Sequence, residues 1–154
     1  MDRLDIEILK IIQTNASIPL TELSRRIGIS KTPCWNRIRR LEEIGVITKR
    51  PTLLDRGKLG LPIVVFLSIS VSQHSADWAE RFTNLVLKHN EIIEAHRLTG
   101  ASADYMLKIV AMSIEDYDKF QQILIKEIEF TSMSSSVSLH EIKYSVSMPL
   151  DQLK

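Results

Sequence analysis

Residues 20–47, LTELSRRIGISKTPCWNRIRRLEEIGVI, carry the most informative pattern of apolar and polar positions in the chain. The segment reads as two short helices joined by a tight, glycine-containing turn. In the second of them, Cys34, Ile38, Leu41 and Ile44 recur at steps of four and three, which predicts one buried stripe on a helix. The opposite face carries Lys31, Thr32, Trp35, Asn36, Arg39 and Arg40. Ser30 is placed to cap this helix, and Pro33 falls in its first turn, where a missing N–H is tolerated. The preceding helix starts after Pro19 and ends at Gly28, a position suited to the left-handed backbone of a helix C-terminus. Upstream, Leu4, Ile8, Leu9, Ile11 and Ile12 predict a further helix over Asp5 to Gln13, with Asp2 and Asp5 favouring its N-terminal end. Downstream, Val46 to Leu54 reads as a short two-stranded wing with Pro51 near its turn.

The period changes after residues 55–60, DRGKLG, whose two glycines and polar residues mark a linker. Strands are predicted at Ile63 to Val71, Ile92 to Leu98, Tyr105 to Ala111 and Ser136 to Ile142, with Tyr144, Val146 and Met148 continuing an alternating tail. Helical spacing appears at Trp78, Phe82, Leu85 and Val86. It appears again, behind the cap Ser113, at Ile114, Tyr117, Phe120, Ile123, Leu124 and Ile128. The order β-α-β-β-α-β predicts a four-stranded antiparallel sheet with both helices on one face. The expected fold is therefore α+β. Residues 1–54 form a winged helix-turn-helix, 55–60 a linker, and 61–154 a ferredoxin-like βαββαβ domain.

Composition narrows the function. The 154 residues are 44% apolar and 25% charged, as in ordinary globular chains. The net charge of +1 conceals a split: residues 1–54 hold 10 Lys+Arg against 6 Asp+Glu, while residues 55–154 hold 10 against 13. The basic half is the one with the helical pair, as phosphate binding requires. A single cysteine excludes an internal disulfide, and Cys34, on the apolar stripe, is expected to be a small buried hydrophobe. His74, His89, His96 and His140 are scattered without metal-ligand spacing, so no metal is expected. The opening MDRLDIEILK lacks a secretory n-region and h-region, and no apolar run is long enough to span a bilayer. The expected location is the cytoplasm, with no membrane partner.

The helical pair suits double-stranded DNA. Lys31, Thr32, Trp35 and Asn36 lie near the N-terminal end of the second helix, the end that reaches base edges in this motif. Asn pairs with adenine, and Arg with guanine or phosphate. Arg39 and Arg40 are assigned to phosphates, and Ser24 and Arg25 on the preceding helix are placed to meet the backbone. For Trp35 two roles stay open, packing onto a partner subunit or stacking on the sugar-phosphate edge. One short helix reads few base pairs, so a homodimer on two half-sites is expected.

The segments LDIEILKIIQ, LTELSRRIGIS, TPCWNRIRRLEEIGVI, LLDRGKLGLP, the turn TG followed by DYMLKI, and the tail EIKYSVSMPL occur here in one order. Together they resemble the Lrp/AsnC (feast/famine) family of transcriptional regulators over nearly the whole chain. The resemblance implies a regulator whose second domain assembles dimers, and further tetramers or octamers, and binds a small amino-acid effector between subunits. No cofactor is implied. The effector site would fall at Gly100, Ala101, Ser102, Asp104 and Tyr105. Three residues separate Gly100 from Asp104, where the family's usual turn has two, and an extra residue re-aims the N–H groups that would hold a carboxylate. Two other functions share parts of this architecture. The siroheme decarboxylases have the same two domains, but no Ser/His/Asp or Cys/His cluster or phosphate loop is present here. The RNA-recognition fold has the same strand order, but here Tyr105 is the sole aromatic in the strand from Asp104 to Ala111.

Overall fold

The computed structural model describes residues 1–72, 75–100 and 103–153. The chain divides into two compact units, one of residues 1–53 with 143–154, the other of residues 54–142.

The first unit is built on three helices, α1 (Arg3–Ile12), α2 (Leu20–Ile27) and α3 (Lys31–Glu43). Helix α1 begins with a reciprocal capping box. The Asp2 carboxylate accepts the Asp5 N–H at 3.0 Å, and the Asp5 carboxylate accepts the Asp2 N–H at 2.9 Å. Helix α2 ends at Gly28, whose φ of 77° is the left-handed conformation that glycine adopts without steric penalty. Its N–H bonds the Ser24 carbonyl at 3.0 Å, which closes the turn and fixes where α3 begins. Ile8, Leu23, Cys34 and Ile38 form the buried cluster among the three helices. Each fully buried aliphatic side chain contributes about 1.5–3 kcal/mol.

The first unit departs from its sequence pattern at two places. Ile44 does not belong to the buried stripe: it follows the last helical residue as the C-cap of α3 and is 59% exposed. Val46 to Leu54 forms no strand. An isolated two-stranded ribbon is marginal in water, and Pro51 removes a ladder donor, so one tertiary bond, Ile47 N–H to the Leu41 carbonyl at 3.0 Å, leads the chain away from α3 instead.

The second unit opens with a hydrogen-bonded turn, in which Asp55 accepts the Lys58 N–H at 3.2 Å and the Leu61 N–H bonds the Arg56 carbonyl at 2.8 Å. There follow β1 (Ile63–Ser70), α4 (Ala76–Lys88), β2 (Ile92–Arg97), β3 (Tyr105–Ala111), α5 (Ile114–Glu127) and β4 (Ser132–Val137). The strands pair antiparallel in the order β2-β3-β1-β4. Alternation places Val65, Leu67 and Ile69 of β1 beside Ile109, Leu107 and Tyr105 of β3. They share a core with Trp78, Phe82 and Leu85 of α4 and Tyr117, Phe120 and Leu124 of α5. Both helices therefore cover one face of the sheet, as the element order predicts. Ser75 and Ser113 cap the two helices, accepting the N–H groups of Trp78 and Asp116.

The fourth strand lies four residues earlier than its alternation suggests. Ser132 to Val137 is polar and exposed along most of its length, because it is an edge strand, so hydrophobicity did not mark it. The tail also departs from the expected extension of the sheet. Residues 143–149 form no strand, and a short 3₁₀ helix spans Leu150–Gln152. This tail packs on α1: the Gln13 amide donates to the Met148 carbonyl at 3.3 Å and accepts the Met148 N–H at 2.9 Å, and Lys10 pairs with Asp151 at 2.7 Å.

Candidate nucleic-acid interface

Helix α3 presents two faces that the core cannot exchange. Cys34, Ile38 and Leu41 are buried, at 4% exposure or less. Lys31, Thr32, Trp35, Asn36, Arg39 and Arg40 are all exposed, and so is Arg25 on α2. The spacing that buries one stripe thus aims a basic, amide-bearing surface outward. Ser24, expected from the sequence to meet the DNA backbone, is instead buried. It is 5% exposed, and its hydroxyl donates to the Thr21 carbonyl at 3.1 Å. Next to Leu23 on the inward face of α2, it serves the helix-turn-helix interior and cannot meet a phosphate without rearrangement.

Most arginines of this unit are held by neighbouring carboxylates. Glu22 takes Arg25 at 2.7 Å and Arg26 at 2.8 Å, and these hydrogen bonds lower its carboxyl pKa to about 2. Arg39 lies 3.7 Å from Glu43, and Arg50 is 2.6 Å from Glu42. All are surface pairs, worth little to stability and open to exchange with a phosphate. The Asp5 site is different. Its carboxylate has no exposed surface, yet it receives the guanidinium groups of Arg37, at 2.8 Å, and of Arg40. Arg37 also reaches Asp2 at 2.6 Å. Burial by itself raises the Asp5 pKa; the Asp2 N–H and the two guanidinium groups outweigh it, so the carboxyl lies below its ordinary value. This network fixes α3 on α1. Neither Asp5 nor Arg37 was singled out from the sequence as part of the site. The i to i+3 pairing of Asp2 and Asp5 was legible as a helix start, but not the docking of a second helix on it.

Cys34 is fully buried, and burial pushes its thiol pKa up, which suits a packing role. In the second unit, Gly100 lies in the connection from β2 to β3, with φ of 147°. Ala101 and Ser102, named as effector candidates, lie outside the described residues. Asp104 closes the hairpin: its N–H bonds the Ile69 carbonyl at 2.9 Å, its carbonyl accepts the Leu98 N–H at 2.7 Å, and its carboxylate accepts the Val71 N–H at 2.9 Å. Tyr105 is a core residue, its ring 4.6 Å from Phe82 and 5.3 Å from Trp78. It faces the helices, so it is neither an open lining group for an effector nor a stacking platform for RNA. Among the described residues, no helix is long and apolar enough to cross a membrane.

Two family models match the chain, winged helix-turn-helix DNA-binding over residues 1–48 and Lrp/AsnC ligand binding domain over residues 64–148. The chain belongs to the Lrp/AsnC family. It is 41% identical to the glutamate uptake regulatory protein of Zymomonas mobilis over 152 residues, covering 99% of this chain and 92% of that protein. An AsnC family transcriptional regulator from Agrobacterium tumefaciens superposes with a TM-score of 0.95 at 40% identity, covering all of both chains. The transcriptional regulator NMB0573 of Neisseria meningitidis, solved with L-Met, gives 0.94 at 30% identity, covering 100% of this chain and 99% of that one. This Lrp/AsnC protein is a DNA-binding transcriptional regulator, and the decarboxylase alternative has no support among these relatives. Most of its second unit lies within the match to the family's ligand-binding domain.

Proposed function

We propose that this regulator binds operator DNA in the cytoplasm as a homodimer and that a small amino acid, held between subunits of the second domain, modulates it. The observation that carries the reading is the division of α3 into a buried apolar stripe and an exposed basic face. Lys31, Thr32 and Asn36, in the N-terminal half of the helix, contact base edges, while Arg39, Arg40 and Arg25 take phosphates. Arg40 does so with the donors that Asp5 leaves available, since half of its side chain is exposed. The effector reading is supported by the ligand-binding family model and by the L-Met complex of the Neisseria relative. The stretch from Gly100 to Asp104 is the proposed place for the effector's α-carboxylate, and the Asp104 carboxylate at its end accepts the Val71 N–H. Residues 1–54 and 61–154, joined by 55–60, are the proposed functional domains, the second continuing into a tail that packs with the first unit.

Genome-wide footprinting with and without each amino acid tests this directly. One amino acid is expected to shift occupancy at a defined set of operators. Footprints indifferent to every amino acid would remove the effector, and the absence of any footprint would remove the DNA assignment.

A further inference from the structure

Trp35 is 47% exposed in the middle of the polar face of α3. Among the described residues its ring has no aromatic neighbour. The chain's other tryptophan shows the usual fate of this side chain: Trp78 is buried, stacked on Phe82 at 4.9 Å, with its indole N–H donated to the Glu129 carbonyl at 2.9 Å. Lys31 and Thr32, one turn before Trp35, and Arg39, one turn after, share its face, and Asn36 adjoins it. All four are exposed. An apolar ring enclosed by cations and an amide is poorly matched to an apolar protein patch and well matched to a polyanion that offers one apolar spot. Duplex DNA offers one to a helix in its major groove, the C5-methyl of thymine. Trp35 is the fifth of the thirteen residues of α3, in the half that reaches base edges.

We propose that Trp35 is a specificity-determining residue that packs its indole on a thymine C5-methyl group, beside an Asn36 placed to pair with adenine. This rests on the assignment of α3 as the DNA-reading helix. Together the two side chains read A·T pairs, one through the methyl and one through a bidentate amide.

The test uses the full-length protein and duplexes that it selects from a random pool. Each thymine of a half-site is replaced in turn by deoxyuridine, which removes only the methyl, and affinities are measured by anisotropy for wild type and Trp35→Ala. One replacement per half-site is expected to weaken wild type by about three- to tenfold, and the Trp35→Ala protein is expected to be indifferent to it. Trp35→Phe, which keeps an aromatic face, is expected to retain the sensitivity and guards against a folding defect in the alanine variant. Wild type insensitive to every replacement, or Trp35→Ala as sensitive as wild type, overturns the role. Failure of wild type to select any sequence overturns the underlying assignment of α3 and this role with it.

Discussion

Arg37 of α3 places its Nη1 2.8 Å from Oδ1 of Asp5, a carboxylate on α1 without exposed surface. The pair lies between the helix that starts the chain's first unit and the helix proposed to read DNA, so it couples folding of the unit to the attitude of that helix's exposed face. Asp5→Asn keeps the shape of the side chain but removes the charged partner of Arg40 and leaves Arg37 with Asp2 alone. The expected loss is about 2–3 kcal/mol, below the full value for a broken buried pair because the arginines are partly exposed. Urea unfolding followed by helical circular dichroism measures it, and a change under 0.5 kcal/mol (roughly the scale of an ordinary surface substitution) would contradict the assignment.

The same carboxylates set the acid side of the stability profile. The pKa of Asp2 is lowered by the Asp5 N–H and by Arg37, and that of Asp5 lies below its ordinary value despite burial. Groups with depressed folded-state pKa values contribute stability that is present above the unfolded value, 3.8, and lost as pH falls through the folded values. Stability of the first unit is therefore expected to hold above that value and to decline below it. In Asp5→Asn the decline should be shallower. Thermal unfolding at stepped pH reads both, and parallel profiles for the two proteins would refute the linkage.

Gln13 grips the backbone of Met148 in both directions, and Lys10 holds Asp151. Gln13→Ala removes two hydrogen bonds, each worth about 0.5–1.5 kcal/mol where shielded and less here, since both are exposed. Truncation after Ile142 removes the whole contact. Faster amide exchange in α1 is expected in both variants, with the larger effect in the truncation. Unchanged exchange in α1 would show that the tail does not support the helix.

The exposed face of α3 divides by chemistry. Reversing Arg39 to Glu is expected to weaken binding at all sequences alike and to reduce the salt slope by about one phosphate's worth, near 0.9. Asn36→Ala is expected to leave the slope unchanged and to relax sequence preference at one position. Affinity titrations against salt, on a selected operator and on an unrelated duplex, separate the two. Equal effects on both duplexes from both variants would undo the division between phosphate and base contacts.

Periodicity alone determined most of the architecture. The stripe at Cys34, Ile38 and Leu41, the cap and turn around Gly28, and the β-α-β-β-α-β order were legible because burial imposes a 3.6-residue or two-residue repeat wherever one face meets a core. The outward positions of Lys31, Thr32, Trp35, Asn36, Arg39 and Arg40 followed from the same repeat. Tertiary structure decided what the repeat does not encode. A polar edge strand such as Ser132 to Val137 has no apolar face to announce it, and a nine-residue wing with a proline has too few bonds to hold a ladder alone. Ser24, on the inward face of α2, and Ile44, at the C-cap of α3, exchanged their expected burial because the element packed against each position sets its environment. The Asp5 site joins residues 32 and 35 positions apart in the chain, and the grip of Gln13 on Met148 spans 135. Such contacts depend on how helices and tail dock in space, and no local pattern along the chain records that geometry.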